Sequence, residues 1–239
     1  MSIRYERQIK INEIGEEGQK KLKNSKALVV GAGGLGSPAL YYLSAAGVGH
    51  IGICDPDTVT LSNLNRQILH FVKDIERKKT ESAKEKISDF NPELEIQTYD
   101  FMVDDGNAED LFKKYDIVLS CVDNIEARNV LNRAHIKTKT PLIDAGVNAF
   151  SGYILPIISG YACYNCVYPT SVPKEALDNS IIGATAGMVG CMQALETIKT
   201  LLDLNGDFFG KMLFIDLMEL SFQTIEVKKS ESCICSTEE

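Results

Sequence analysis

Two cations and two acids, Arg66, Lys79, Asp55 and Asp123, are of the types that would hold a nucleoside triphosphate. The phosphate-binding feature itself is Gly31-Ala32-Gly33-Gly34-Leu35-Gly36, which follows directly on the apolar run Leu28-Val29-Val30. Glycines after a strand let backbone amides approach a phosphate, and the N-terminus of the following helix attracts its charge. A second apolar run, Ile51-Gly52-Ile53-Cys54, ends on Asp55, an acid suited to ribose hydroxyls. The glycine fingerprint alone also fits enzymes that bind NAD or FAD, because loop and helix dipole hold a diphosphate largely unaided. Arg66, Lys79 and Asp123, if they converge where the strands end, supply what a triphosphate with Mg²⁺ requires: cations on the phosphate oxygens and an acid on the metal. Each has an ordinary alternative: a surface ion pair for Arg66, a solvated helix face for Lys79, and a helix N-cap beside Asn124 for Asp123.

A second constellation is Cys163-x-x-Cys166 with Cys233-x-Cys235. Two close cysteine pairs far apart in sequence suit a tetrahedral structural Zn²⁺ that pins the tail to the body; free thiols or a tail disulfide are the alternatives. Cys54 and Cys121 end apolar runs and read as core, and Cys191 lies among small residues in a helical stretch and reads as packing. Residues 168–185 contain no cysteine, so no thioester or persulfide step is assigned to that stretch. His50, His70 and His135 read as surface or internally satisfied histidines.

The elements that must position these residues alternate. Helices are expected at 13–23, 34–46, 77–90, 107–114 and 125–137, and strands at 27–31, 50–54, 94–99, 116–120 and 142–146. Asn91-Pro92 stops the third helix. This alternation predicts an α/β fold with a Rossmann-like doubly wound sheet, parallel in the N-terminal half. The remainder changes character: a strand at 150–158, a crossing loop at 168–183, a helix at 184–202 and a hairpin at 211–217 and 220–227. The sheet is therefore expected to turn mixed or antiparallel toward the C-terminus. Between Asp55 and Gln67 runs a long polar excursion, a usual carrier of function.

The 44% hydrophobic content supports one large domain, and a net charge of −8 argues against general nucleic-acid binding. The apolar stretch near 181–202 is interrupted by Gln193, Glu196 and Lys199 and is not a membrane span. Seven cysteines, an odd number, with no leader-like N-terminus point to a reduced, cytoplasmic setting.

In order along the chain stand Arg4-Tyr5-x-Arg7-Gln8, the glycine turn, Asp55-x-Asp57, Ser62-Asn63-Leu64-Asn65-Arg66-Gln67, Lys79, Val122-Asp123-Asn124 and Cys163-x-x-Cys166. This series resembles the ThiF/MoeB/HesA family, bacterial and archaeal relatives of ubiquitin-activating enzymes, over nearly the whole chain. The resemblance implies one adenylation domain over 1–239, with an N-terminal helical arm (1–25), a nucleotide-binding half (26–146) and a substrate and zinc half (147–239). It implies ATP- and Mg²⁺-dependent adenylation of a carboxylate. Gly31, Gly33, Gly34 and Gly36 would line the nucleotide, and Asp55 would hold the ribose. Asn63, Arg66 and Lys79 would bind the triphosphate and Asp123 the Mg²⁺; Asp57, Asn65, Gln67 and Asn124 complete the set. Arg7 would reach into the partner's site of a homodimer. Two departures stand out. Glu76-Arg77-Lys78 replaces the small residue and proline of relatives, which makes Lys78 a rival of Lys79. The tail pair is C-x-C where the family usually has C-x-x-C for its zinc.

A carboxylate with a pKa near ~3.5 is already ionised at neutral pH and needs no general base. The expected substrate is the C-terminal glycine of a ThiS/MoaD-like sulfur carrier protein. The alternative is a small-molecule carboxylic acid, such as the pyridinol precursor of the [Fe]-hydrogenase guanylylpyridinol cofactor. A non-catalytic adenylation-like subunit and an NAD-dependent oxidoreductase are lesser alternatives, the latter resting on the glycine turn alone.

Overall fold

The structure, a computed structural model, describes residues 3–169 and 180–237. One eight-stranded sheet organises it, in the order β3-β2-β1-β4-β5-β6-β7-β8. The strands are β1 (Lys26–Val30), β2 (His50–Cys54), β3 (Glu95–Tyr99), β4 (Ile117–Ser120), β5 (Leu142–Asn148), β6 (Ser151–Ile157), β7 (Lys211–Asp216) and β8 (Ser221–Glu226). Pairing is parallel from β3 through β5 and antiparallel from β5 through β8. The doubly wound sheet that turns antiparallel toward the C-terminus is thus present.

The longer helices are α2 (Gly15–Asn24), α3 (Gly36–Ala46), α4 (Lys79–Phe90), α6 (Ile125–Thr138) and α8 (Gly183–Leu201). Four shorter ones, α1 (Glu6–Ile9), α5 (Ala108–Phe112), α7 (Tyr164–Val167) and α9 (Ile234–Thr237), complete the series among the described residues. Both faces of the parallel half are covered. Ala27 and Val29 of β1 join a core with Leu40 and Leu43 of α3 and Val189 of α8. Leu28 and Val30 join the opposite core with Phe112 of α5 and Leu131 of α6. A strand buried on both sides reads as an unbroken apolar run, which is why β1, β2 and β4 lack alternation.

The chain winds from β1 outward to β3, then returns to β4 on the other side of β1. Such a reversal leaves a crevice beyond the carboxyl ends of the central strands, where ligands of doubly wound folds sit. Val30 and Ser120 are register partners at that edge. α4 begins at Lys79 rather than at 77 because Lys78 is still extended and bridges Thr58. Most of the expected crossing loop, residues 170–179, lies outside the described residues; past it, Ile181 bridges Ala149. Among the described residues no helix is long and apolar enough to cross a membrane.

Candidate active site

The glycine turn is built so that no side chain fits at its two ends. Gly31 has φ +99°, and a Cβ there would come within 2.5 Å of the Cys121 carbonyl oxygen. A Cβ on Gly36 would lie 1.9 Å from the Gly31 carbonyl oxygen. Only glycine meets both demands. Between them Ala32 is clamped twice. Its N–H donates to Asp55 Oδ2 at 2.8 Å, and its carbonyl lies 2.9 Å from His70 Nε2. With Nε2 the donor, Nδ1 is left to accept from Ser82 Oγ at 2.8 Å. Burial pushes the His70 pKa down, which favours this neutral ring. His70 is thus a satisfied histidine, and what it satisfies is the glycine turn.

Asp55 is buried, and its Oδ1 accepts from the Asp57 amide at 2.8 Å. Burial raises its pKa, opposed chiefly by the Lys79 charge. Lys79 opens α4 with its ammonium 2.8 Å from Asp57 Oδ2 and 3.9 Å from Asp55 Oδ1. Lys78 instead donates to the Pro56 carbonyl at 3.2 Å. Lys79, not its rival, therefore joins the acids at the end of β2.

The polar excursion folds back over the glycines. A Cβ on Gly34 would sit 3.5 Å from Arg66 Cγ, and one on Gly33 would sit 3.5 Å from Gln67 Nε2. Arg66 Nη1 donates to the Ser62 carbonyl (3.0 Å) and to Asn65 Oδ1 (2.9 Å), and among the described residues no carboxylate pairs with it. Its charge is uncompensated. Gln67 is buried with its Oε1 unpartnered among the described residues. Asn63 Oδ1 accepts from the Thr60 amide at 3.2 Å and shapes the turn that carries Arg66. Behind this loop, fully buried Asp74 accepts from Lys86 (2.6 Å), Arg77 (2.8 Å) and the Phe71 amide (2.8 Å). Burial opposes its ionisation, but these donors outweigh that and hold its carboxyl below the usual range.

Asp123 reaches the same edge from β4. The Cys121 amide donates to the Val30 carbonyl at 2.8 Å, and Asp123 follows two residues on, exposed and engaged by no hydrogen bond or ion pair among the described residues. Asn124, not Asp123, is the N-cap of α6, its Oδ1 accepting from the Ala127 amide at 2.8 Å. Arg7 lies elsewhere. It is exposed on α1, which is tied by Gln8 to the Ala46 carbonyl (2.8 Å) at the C-terminal end of α3. The glycine turn is at the other end of that helix, about 16 Å away for eleven residues.

Sequence reasoning missed the buried charges behind this edge. Arg128 of α6 pairs with Asp144 of β5 at 2.6 Å, and the Tyr153 hydroxyl of β6 donates to Asp144 at 2.7 Å. The signal was an acid inside the apolar run Leu142-Ile143-Asp144-Ala145 and an arginine three residues before Leu131, on the buried face of α6. Gln193 was missed likewise; its buried Nε2 donates to the Ser120 and Ile143 carbonyls (2.9 and 2.8 Å).

The four tail-and-body cysteines converge. Cys163 Sγ lies 3.9 Å from Cys166 Sγ and 3.5 Å from Cys233 Sγ, and Cys166 Sγ lies 3.5 Å from Cys235 Sγ. All four sulfurs fall within 4.8 Å of one another. Tetrahedral ligation at a Zn–S distance near ~2.3 Å calls for sulfurs about 3.8 Å apart, and a disulfide needs about 2 Å. The cluster can hold a metal ion. Short α9 carries Cys235 back toward Cys166, so the C-x-C spacing is accommodated. Burial pushes the Cys235 thiol up to about 11 and the Cys163 thiol higher still.

A family model described as the ThiF family matches residues 5–237. The protein named adenylyltransferase and sulfurtransferase MOCS3 of Aedes aegypti is 39% identical over 240 residues, 98% of this chain and 55% of that protein. Its counterpart in Culex quinquefasciatus is 40% identical over 241 residues with the same coverage. The chain spans about half the length of these curated relatives. Among solved structures, E. coli MccB with ATP aligns with a TM-score of 0.83 at 22% identity, over 98% of this chain and 74% of that one. MccB with MccA-N7isoASN aligns at 0.85 and 23%, over 99% and 75%, and PaaA at 0.79 and 21%, over 95% and 73%. At such identities the likeness is one of fold.

Proposed function

The chain belongs to the ThiF family, and from that premise we propose that it is an adenylyltransferase. It uses ATP and Mg²⁺ to activate a carboxylate, the C-terminal glycine of a ubiquitin-like sulfur carrier protein, releasing pyrophosphate. The observation that carries this reading is the folding of Arg66 and Gln67 onto Gly34 and Gly33, with Lys79 at Asp55 beside the same turn. A diphosphate is held largely by the turn and the helix dipole, so two further cations fit a triphosphate better than NAD.

The substrate carboxylate is already an anion, so the reaction needs no general base. Its oxygen attacks the α-phosphorus, and the bond to the pyrophosphate oxygen breaks. The turn amides and the N-terminus of α3 receive phosphate oxygens, Asp55 takes the ribose hydroxyls on lone pairs that Ala32 and Asp57 leave open, and Arg66 and Lys79 neutralise the phosphates. Asp123 would hold Mg²⁺, which supplies further charge neutralisation to the leaving group. Bringing two anions together is a task of positioning and preorganised charge, and positioning alone contributes roughly 7–11 kcal/mol. Arg7, about a helix length from its own glycine turn, serves the partner's site in a homodimer. The cysteine cluster holds Zn²⁺ and fixes the tail. The domain is the whole span 1–239, working in the cytoplasm.

The relatives' name joins adenylyl transfer with sulfur transfer, and this chain spans about half of their length; we assign it the adenylating step and a sulfur carrier as substrate. The absence of cysteine from 168–185 suits a small-molecule acid, the second reading, as well as a carrier protein. ATP–pyrophosphate exchange, run in parallel with ThiS- and MoaD-like proteins and with small acids, decides between them. Exchange stimulated by a carrier with an intact C-terminal glycine is expected. Exchange with a small acid and none with any carrier overturns the substrate, and no exchange or ATP binding at all overturns adenylation.

A further inference from the structure

The Arg128 guanidinium is nearly fully buried and makes four hydrogen bonds. Nη1 donates to Asp144 Oδ1 (2.6 Å), the Ala145 carbonyl (2.6 Å) and the Tyr153 hydroxyl (3.1 Å), and Nη2 donates to the Val122 carbonyl (2.7 Å). That last acceptor belongs to the rigid peptide unit whose nitrogen is Asp123's own. On the other side of Asp123, the Asn124 side chain is spent capping α6. The Asp123 backbone is thus held on both sides while its carboxylate has no partner among the described residues. We propose that Arg128 is a positioning residue that fixes the Val122–Asp123 peptide so that the Asp123 carboxylate meets the Mg²⁺ of bound ATP. This rests on the adenylation reading of Asp123 above.

Lysine cannot replace this arginine. A planar fork bonds Asp144 with one arm and Val122 with the other, whereas a single ammonium is one point of attachment. Groups that orient a metal ligand typically shift metal affinity by about 10–100-fold when removed. The expected signature is therefore selective: a poorer response to Mg²⁺, with the glycine turn and Arg66 still binding nucleotide.

The test is ATP binding by the full chain, followed calorimetrically at a series of Mg²⁺ concentrations and again in EDTA. Arg128→Lys is expected to raise the half-saturating Mg²⁺ concentration about tenfold, with ATP affinity in EDTA unchanged. Arg133→Lys, on the same helix but paired with Asp105 at the surface (2.8 Å), is expected to change neither. Asp123→Asn must shift the Mg²⁺ requirement at least as far. If Asp123→Asn shifts it and a folded Arg128→Lys does not, the positioning role is overturned while the adenylation reading stands. Equal losses with Mg²⁺ and in EDTA also overturn it, since a merely structural arginine behaves that way. If the parent protein shows no Mg²⁺-dependent ATP binding, or Asp123→Asn has no effect, the underlying reading falls and the inference with it. Should Arg128→Lys not fold, Asp144→Asn loosens the guanidinium by removing its counter-charge. A smaller shift in the same direction is then expected, and none overturns the proposal.

Discussion

Replacing Lys79 by Met removes the ammonium that faces buried Asp55 and keeps most of the side-chain stem. The partner at 2.8 Å, Asp57, is exposed, so that pair contributes at most about 1 kcal/mol. The partner at 3.9 Å, Asp55, is buried. At that separation and an effective dielectric near 20, the attraction is about 4 kcal/mol. The Ala32 and Asp57 amides stay on the carboxylate, so a net loss of about 3 kcal/mol is expected at pH 8. The sign of the pH dependence follows from Asp55. Burial already raises its pKa against the Lys79 charge, and without that charge it rises further. An acid with a folded pKa above its unfolded value binds its proton more tightly when folded. The folded state is then favoured below the unfolded pKa, and stability falls as pH climbs toward the folded one. The deficit of Lys79→Met should therefore be small near pH 4.5 and widen toward pH 8. Urea unfolding of both proteins at the two pH values measures it. A deficit that is equal or larger at acid pH, or below about 1 kcal/mol at pH 8, would refute the reasoning.

Arg66→Ala should lower kcat/KM by about 2–4 kcal/mol of barrier, roughly 30- to 1000-fold, because its uncompensated charge is available to phosphate; half-exposed Arg66 adds little to the fold, so the thermal midpoint should hold. Cys191→Ser should leave the exchange rate within about twofold, since no thiol step is assigned to this chain; loss of exchange would reopen that step. Purified protein should contain one Zn²⁺ per chain by elemental analysis. Stripping it releases a tether between positions 70 apart, worth about 4 kcal/mol of loop-closure entropy, and should lower the denaturation midpoint and expose four thiols to a thiol reagent.

The sheet was legible because its central strands are buried on both faces and its helices carry their own stops. Leu28-Val29-Val30 and Ile117-Val118-Leu119-Ser120 read as strands without alternation, and Asn91-Pro92 ends α4. The glycines at 31 and 36 were equally legible, since their requirement is local: one needs a positive φ, the other the close approach of a carbonyl. Arg66 and Gln67 could be named from their motif, but not their contact with Gly34 and Gly33, which depends on a loop that returns from β2 across the turn. The roles of His70, Arg128, Asp144, Tyr153 and Gln193 were not legible. Each satisfies backbone or charge from elements distant in sequence, and one-dimensional pattern carries no record of which buried groups will meet.

Sequence alone therefore determined the winding of the fold, the glycine turn and the set of residue types able to hold a nucleotide, because local periodicity and backbone sterics act over a few residues. Tertiary structure alone decided that Lys79 rather than Lys78 meets Asp55, that Asn124 rather than Asp123 caps α6, and that C-x-C closes a four-sulfur cluster. Those outcomes turn on distances of a few ångströms between segments tens of residues apart, which only the packed chain sets.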